Sequence, residues 1–121
     1  MRFLGYTIGD DSTPLPAPTP ELFAEMGRFM AEATQAGVLV LTGGLAPTSE
    51  GTTIRLEDGA FTISDGPYTE AKELIGGWAI LETATKEEAI DWSKRFLAIN
   101  GGGETRLRQI FGPEDVPPIG G

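Results

Sequence analysis

The chain has 121 residues, nine Lys and Arg against eighteen Asp and Glu for a formal charge of −9, and neither cysteine nor histidine. That length fits one domain, 1–121, and the charge opposes docking on nucleic-acid phosphates or anionic membranes; no apolar run reaches the roughly 20 residues that span a bilayer. Without Cys there is no disulfide or thiolate nucleophile, and without His any acid–base chemistry falls to Asp, Glu, Lys or Tyr and any metal to oxygen ligands. The carboxylates are scattered, without the spacing of a calcium loop, so neither a metal nor a cofactor is expected. Residues 1–3 run straight into a strand pattern with no signal-peptide core, which predicts a cytoplasmic protein.

Residues 3–8 alternate Leu4, Tyr6 and Ile8 against Phe3, Gly5 and Thr7, so both faces are apolar or small. A strand covered by a helix on one side and by a partner subunit on the other fits this pattern. A Pro-rich loop follows. Thr19-Pro20 then opens a helix, with Thr19 as N-cap and Pro20 in the first turn. Leu22, Phe23, Met26, Phe29, Met30 and Ala33 form its apolar stripe, and Gly37 ends it. Residues 38–41 are wholly apolar and predict a short central strand. Residues 42–51 read as a loop.

Next comes a hairpin with a checkable register. With Asp58-Gly59 as a two-residue turn, Leu56 faces Phe61 and Ile54 faces Ile63, while Arg55 and Thr62 share the other side. The alternation at Phe61 and Ile63 is that of a half-buried strand. Asp65-Gly66-Pro67 breaks it, Gly66 supplying unusual backbone angles and Pro67 lacking an N–H. A polar turn with Thr69 as cap leads through Gly76-Gly77 into a second apolar strand, 78–81. Thr85 and Glu88 form a capping box for a second helix whose stripe is Ala89, Ile90, Ser93, Phe96 and Leu97. Asn100 and Gly101 to Gly103 end it. Residues 106–111 form the last strand, and 112–121 a Pro/Gly-rich tail expected to move freely unless it docks. The plan is α+β: β-α-β-hairpin-β-α-β, an antiparallel sheet with both helices on one face.

The central motif, Asp65-Gly66-Pro67-Tyr68, Thr69-Glu70-Ala71-Lys72-Glu73 and Gly76-Gly77-Trp78, resembles the signature of the YCII-related proteins of the DGPF branch, with Tyr68 where Phe is usual. The resemblance runs over nearly the whole chain, from Gly9-Asp10 to Arg108-Gln109-Ile110-Phe111 and Glu114-Asp115. It implies a ferredoxin-like domain that pairs into a dimeric α+β barrel. A sibling branch carries a His–Asp pair proposed as catalytic, and this chain, lacking His, cannot reproduce it.

Asp65 is the sharpest catalytic candidate, a strand-end carboxylate whose pKa burial would raise toward that of a general base. The preferred reading is simpler: it caps the turn, accepting N–H groups from Tyr68 or Thr69. Lys72, between Glu70 and Glu73, reads as an exposed charge with local ion pairs rather than an anion site. Arg106 and Arg108 share one strand face. They would serve equally as an anion site in a barrel cavity or as interface ion pairs. Tyr68 and Trp78 complete the candidate ligand-binding set as aromatic lining.

Three functions remain open. The first is a cofactor-free homodimer binding a small organic molecule in a pocket near its interface. The second is a small lyase or isomerase with Asp65 as base and Arg108 as anion holder. The third, implied by the resemblance, is an accessory protein linked to sigma-factor regulation.

Overall fold

A computed structural model describes residues 1–9, 19–66, 74–113 and 115. Six strands and two helices follow in the order β1 (Arg2–Gly9), α1 (Pro20–Gln35), β2 (Leu39–Gly44), β3 (Thr52–Glu57), β4 (Ala60–Asp65), β5 (Leu74–Glu82), α2 (Lys86–Asn100) and β6 (Glu104–Ile110). The main sheet has the order β2-β5-β1-β6, and β3 and β4 form a separate two-stranded hairpin. Every pairing is antiparallel. With the hairpin set aside, this order is compatible with a ferredoxin-like α+β fold.

Helix boundaries follow their caps. The Thr19 hydroxyl accepts the Leu22 N–H at 3.1 Å, with Pro20 in the first turn. At the other end Gly37 takes φ +75°, and the Gly37 and Val38 N–H groups donate to the carbonyls of Thr34 and Ala33. This is a Schellman closure. In α2 the Glu88 N–H donates to Thr85 Oγ1 at 3.2 Å, while the Glu88 carboxylate reaches back to the Ala84 N–H. After α2, Gly101, Gly102 and Gly103 hold φ of +86°, +133° and +107°. A run of three such angles is one that only glycine adopts without strain.

Both helices cover the sheet face that carries Phe3 and Leu81, and these pack with Val38 and Ala89 as the buried cluster. A second brace ties helix to helix. The Phe29 and Trp92 rings lie 5.8 Å apart, and the Arg95 guanidinium sits over both, at 5.2 and 4.7 Å. Arg95 also donates to Glu32 at 2.5 Å, which holds the Glu32 carboxyl below its usual range. Stacking of this kind contributes about 0.5–1 kcal/mol at an exposed site.

Several expectations are corrected. The apolar segment 38–41 does not make a central strand: among the described residues β2 is an edge strand that pairs only with β5, and β1 and β5 occupy the centre. Apolar composition says nothing of hydrogen-bonding neighbours, which are what set a strand's position in a sheet, and here it does not ensure burial either. Val40 and Leu41 are exposed. The segment 42–51 is not wholly loop, because β2 runs on to Gly44 and residues 48–50 form a 3-10 turn. Residues 76 and 77 lie within β5 rather than before it. Phe23 points away from the helix stripe and is exposed.

The hairpin register is as the sequence predicts, with Leu56 opposite Phe61 and Ile54 opposite Ile63. Asp58 and Gly59 take φ of +52° and +78°, the angles of a type I′ turn. The expectation that this strand is half-buried fails. Ile54, Leu56, Phe61 and Ile63 are 68, 60, 73 and 69% exposed, because the hairpin leaves the main sheet instead of packing on it.

Candidate functional site

Small residues on the helix-covered face open a space. The register places Gly5 opposite Ala79 and opposite Leu107, and Thr7 opposite Thr105. By alternation these side chains share the face of Phe3 and Leu81. The roof above them is large: Phe29 and Met30 from α1, Trp92 and Phe96 from α2. Floor and roof do not meet, and a cavity of about 240 Å³ lies between them, walled almost entirely by apolar groups. A space of about 150 Å³ lined by aliphatic and aromatic side chains already admits benzene.

Two hydroxyls on this wall differ. Thr7 Oγ1 accepts the Gly77 N–H at 2.9 Å and lies 3.3 Å from the Gly77 carbonyl, where β5 carries an extra residue against β1. A Cβ on Gly77 would stand 3.3 Å from that hydroxyl, so close approach accounts for this glycine. Thr105 also lines the cavity; its Oγ1 is buried and has no hydrogen-bond partner among the described residues. An unpaired buried hydroxyl costs about 1–3 kcal/mol. Because Thr105 lines the cavity, a turn about its χ1 would bring this hydroxyl to a ligand's hydrogen-bonding group.

On the opposite face, alternation aligns Leu4, Tyr6 and Ile8 with Trp78, Ile80, Arg106 and Arg108. Arg106 pairs across β1 with Tyr6, and Tyr6 in turn with Trp78; Arg108, Leu4 and Ile80 form the neighbouring row. The prediction that the two arginines share a face holds. Arg106 donates to Glu104 at 2.8 Å. Arg108 has no ion-pair partner among the described residues. Trp78 is among the residues that border the cavity, and its indole packs against Gly43 of the edge strand.

Asp65 ends β4, where its Oδ1 accepts the Thr52 hydroxyl at 3.3 Å. It does not line the cavity. Gly66 is required for a reason other than its backbone angles, since its φ is not positive. Its N–H donates to the Gly51 carbonyl at 2.6 Å, and a Cβ would overlap the Thr48 carbonyl oxygen. Tyr68 and Lys72, and the Thr69 cap, lie outside the described residues.

The profile of the YCII-related domain matches residues 1–111. The chain belongs to the YCII-related family. An uncharacterized protein of Rhizobium meliloti (strain 1021) is 30% identical over 96 residues, 77% of this chain and 77% of its own length. This YCII-related chain has no helix, among the described residues, long and apolar enough to cross a membrane.

Sequence reasoning did not single out Thr105, Gly43 or the cavity floor. The signal was partly present, since Gly5 and Thr7 alternate with larger residues in β1 as Gly77 and Ala79 do in β5. Only the pairing of strands some 70 residues apart brings these small positions together.

Proposed function

We propose that this YCII-related protein binds a small apolar or aromatic molecule carrying one hydrogen-bonding group, in the space between its helices and its sheet. We further propose that it acts as a cytoplasmic homodimer of the DGPF branch. The cavity of about 240 Å³, lined by Thr105 whose hydroxyl has no partner among the described residues, carries this reading. Concave, largely apolar spaces with few convergent polar groups are where small molecules bind. The half-buried Leu4, Tyr6, Trp78 and Ile80 on the helix-free face support the dimer, since an apolar sheet face calls for cover. Asp65-Gly66-Pro67 supports the branch assignment.

Calorimetry with 2-naphthol as probe tests the binding. Saturable binding at one site per chain is expected, with affinity reduced at least tenfold in Ala79→Leu, which fills the floor. No binding at millimolar probe, or equal affinity in that variant, would overturn the proposal.

A further inference from the structure

We infer that the β3–β4 hairpin is an arm that seats its apolar face on the helix-free sheet face of a second copy of this chain. The hairpin has two chemically different sides. Arg55, Glu57 and Thr62 lie on one; Ile54, Leu56, Phe61 and Ile63 lie on the other, each more than half exposed. Four large apolar side chains on one face of an isolated two-stranded ribbon are not accounted for by the chain's own core. Such ribbons are marginal in water without a surface to pack on. A contiguous exposed apolar patch marks an interaction surface.

The occupant argued for is a second copy, because this chain carries the complementary surface. Its helix-free face combines an apolar centre, Leu4 and Ile80, with exposed Leu41 and Ile75 toward the β2 edge. Charge agrees with this match. In a chain of net charge −9, Arg108 on that face lacks an ion-pair partner among the described residues. Glu57 lies on the polar side, 3.7 Å from Arg55, and Asp58 stands at the tip of the hairpin turn. Seating the arm brings the Asp58 carboxylate toward the partner subunit's Arg108.

Area bounds the contact. Strand spacings give about 400 Å² in plan for four strands of six residues and about 200 Å² for the hairpin, which covers an equal area of the sheet. The two arm contacts of a twofold dimer bury about 800 Å², and the uncovered halves of the two sheet faces, meeting across the axis, bring the total to about 1,200 Å², the lower bound of stable specific interfaces. The contact is reciprocal: each copy gives one arm and receives one.

The inference rests on the homodimer proposed above, and the test separates the two. Sedimentation of the full chain should show a dimer, and Phe61→Asp/Ile63→Asp should raise its dissociation constant at least 100-fold while leaving the circular dichroism of the main sheet and helices unchanged. The chain has no cysteine, so a mixture of Leu56→Cys and Arg108→Cys chains treated with a short bismaleimide should give cross-linked dimers well above the yield of either variant alone. A wild-type monomer would remove both the dimer and the arm. A dimer indifferent to Phe61→Asp/Ile63→Asp, or one giving no mixed cross-link, would leave the dimer standing and overturn the arm. A cross-link formed within one chain of the double variant Leu56→Cys/Arg108→Cys would overturn it as well, showing that the hairpin folds back on its own sheet.

Discussion

The indole of Trp78 packs so closely on Gly43 that a Cβ at residue 43 would stand 3.0 Å from its Cζ2 and 3.2 Å from its Cε2. Gly43 has no positive φ, so the backbone would accept another residue and only the contact resists it. Gly43→Ala is therefore expected to cost about 1 kcal/mol and Gly43→Val more, the usual range of overpacking. Both should shift tryptophan emission as the indole moves. Unchanged emission and melting temperature in both variants would show that the contact is absent.

At Gly66 the obstacle is backbone, not a side chain that can turn away. Gly66→Ala must displace the 3-10 turn at residues 48–50, or break the Gly66 N–H to Gly51 carbonyl bond. A loss of about 3 kcal/mol is expected, the upper end of overpacking costs. Urea denaturation measures it, and a loss below about 0.5 kcal/mol, the scale of ordinary surface changes, would contradict the close approach.

These two glycines show what the sequence reveals and what it withholds. The hairpin register was legible because a two-residue turn fixes every cross-strand pair by counting. Thr19, Gly37 and Thr85 were legible as caps because their partners lie within four residues. The edge position of β2 was not legible, since 38–41 reads as apolar whether the sheet continues beyond it or stops. Nor was the cavity, which depends on Gly5, Ala79 and Thr105 meeting across the sheet. Asp65 drew attention as a motif residue, yet its bond to Thr52 joins two hairpin strands and lies away from the cavity wall.

Asp65→Asn keeps a side-chain acceptor for the Thr52 hydroxyl and should leave stability nearly unchanged. Asp65→Ala removes one exposed hydrogen bond and should cost about 0.5–1.5 kcal/mol. Neither variant should alter 2-naphthol affinity or its pH profile. A changed pH profile in Asp65→Asn would return this carboxylate to the binding chemistry.

The Glu32–Arg95 pair gives a pH dependence with a definite sign. Its hydrogen bond to Arg95 lowers the folded-state pKa of Glu32 from the ordinary value of 4.5. The pair's stabilisation is therefore present above that ordinary value and is lost as pH falls through the depressed folded value. Wild type should melt above Glu32→Gln near neutrality, and the two curves should converge in acid. A gap between them that persists unchanged into strong acid would contradict the pairing.

Thr105→Val should act in opposite directions on the empty and the occupied protein. Valine matches threonine in shape and suits a strand, and it removes a buried hydroxyl that has no partner among the described residues. The free protein should gain about 1 kcal/mol, the lower end of the penalty for such a group. Affinity for 2-naphthol should fall while affinity for naphthalene, which has no hydroxyl, should not. A destabilised free protein, or equal losses for both probes, would show that Thr105 is not the polar contact of this site.

The central claim, that the space between helices and sheet takes a small molecule, is tested most directly by amide chemical-shift mapping of the full chain titrated with 2-naphthol. The largest saturable shifts are expected at Gly5, Ala33, Ala79, Ser93 and Thr105, with the hairpin amides at Ile54 and Ile63 nearly still. Shifts confined to the hairpin and to Arg106 and Arg108, with the cavity-wall amides unmoved, would contradict the account and place binding on the helix-free face.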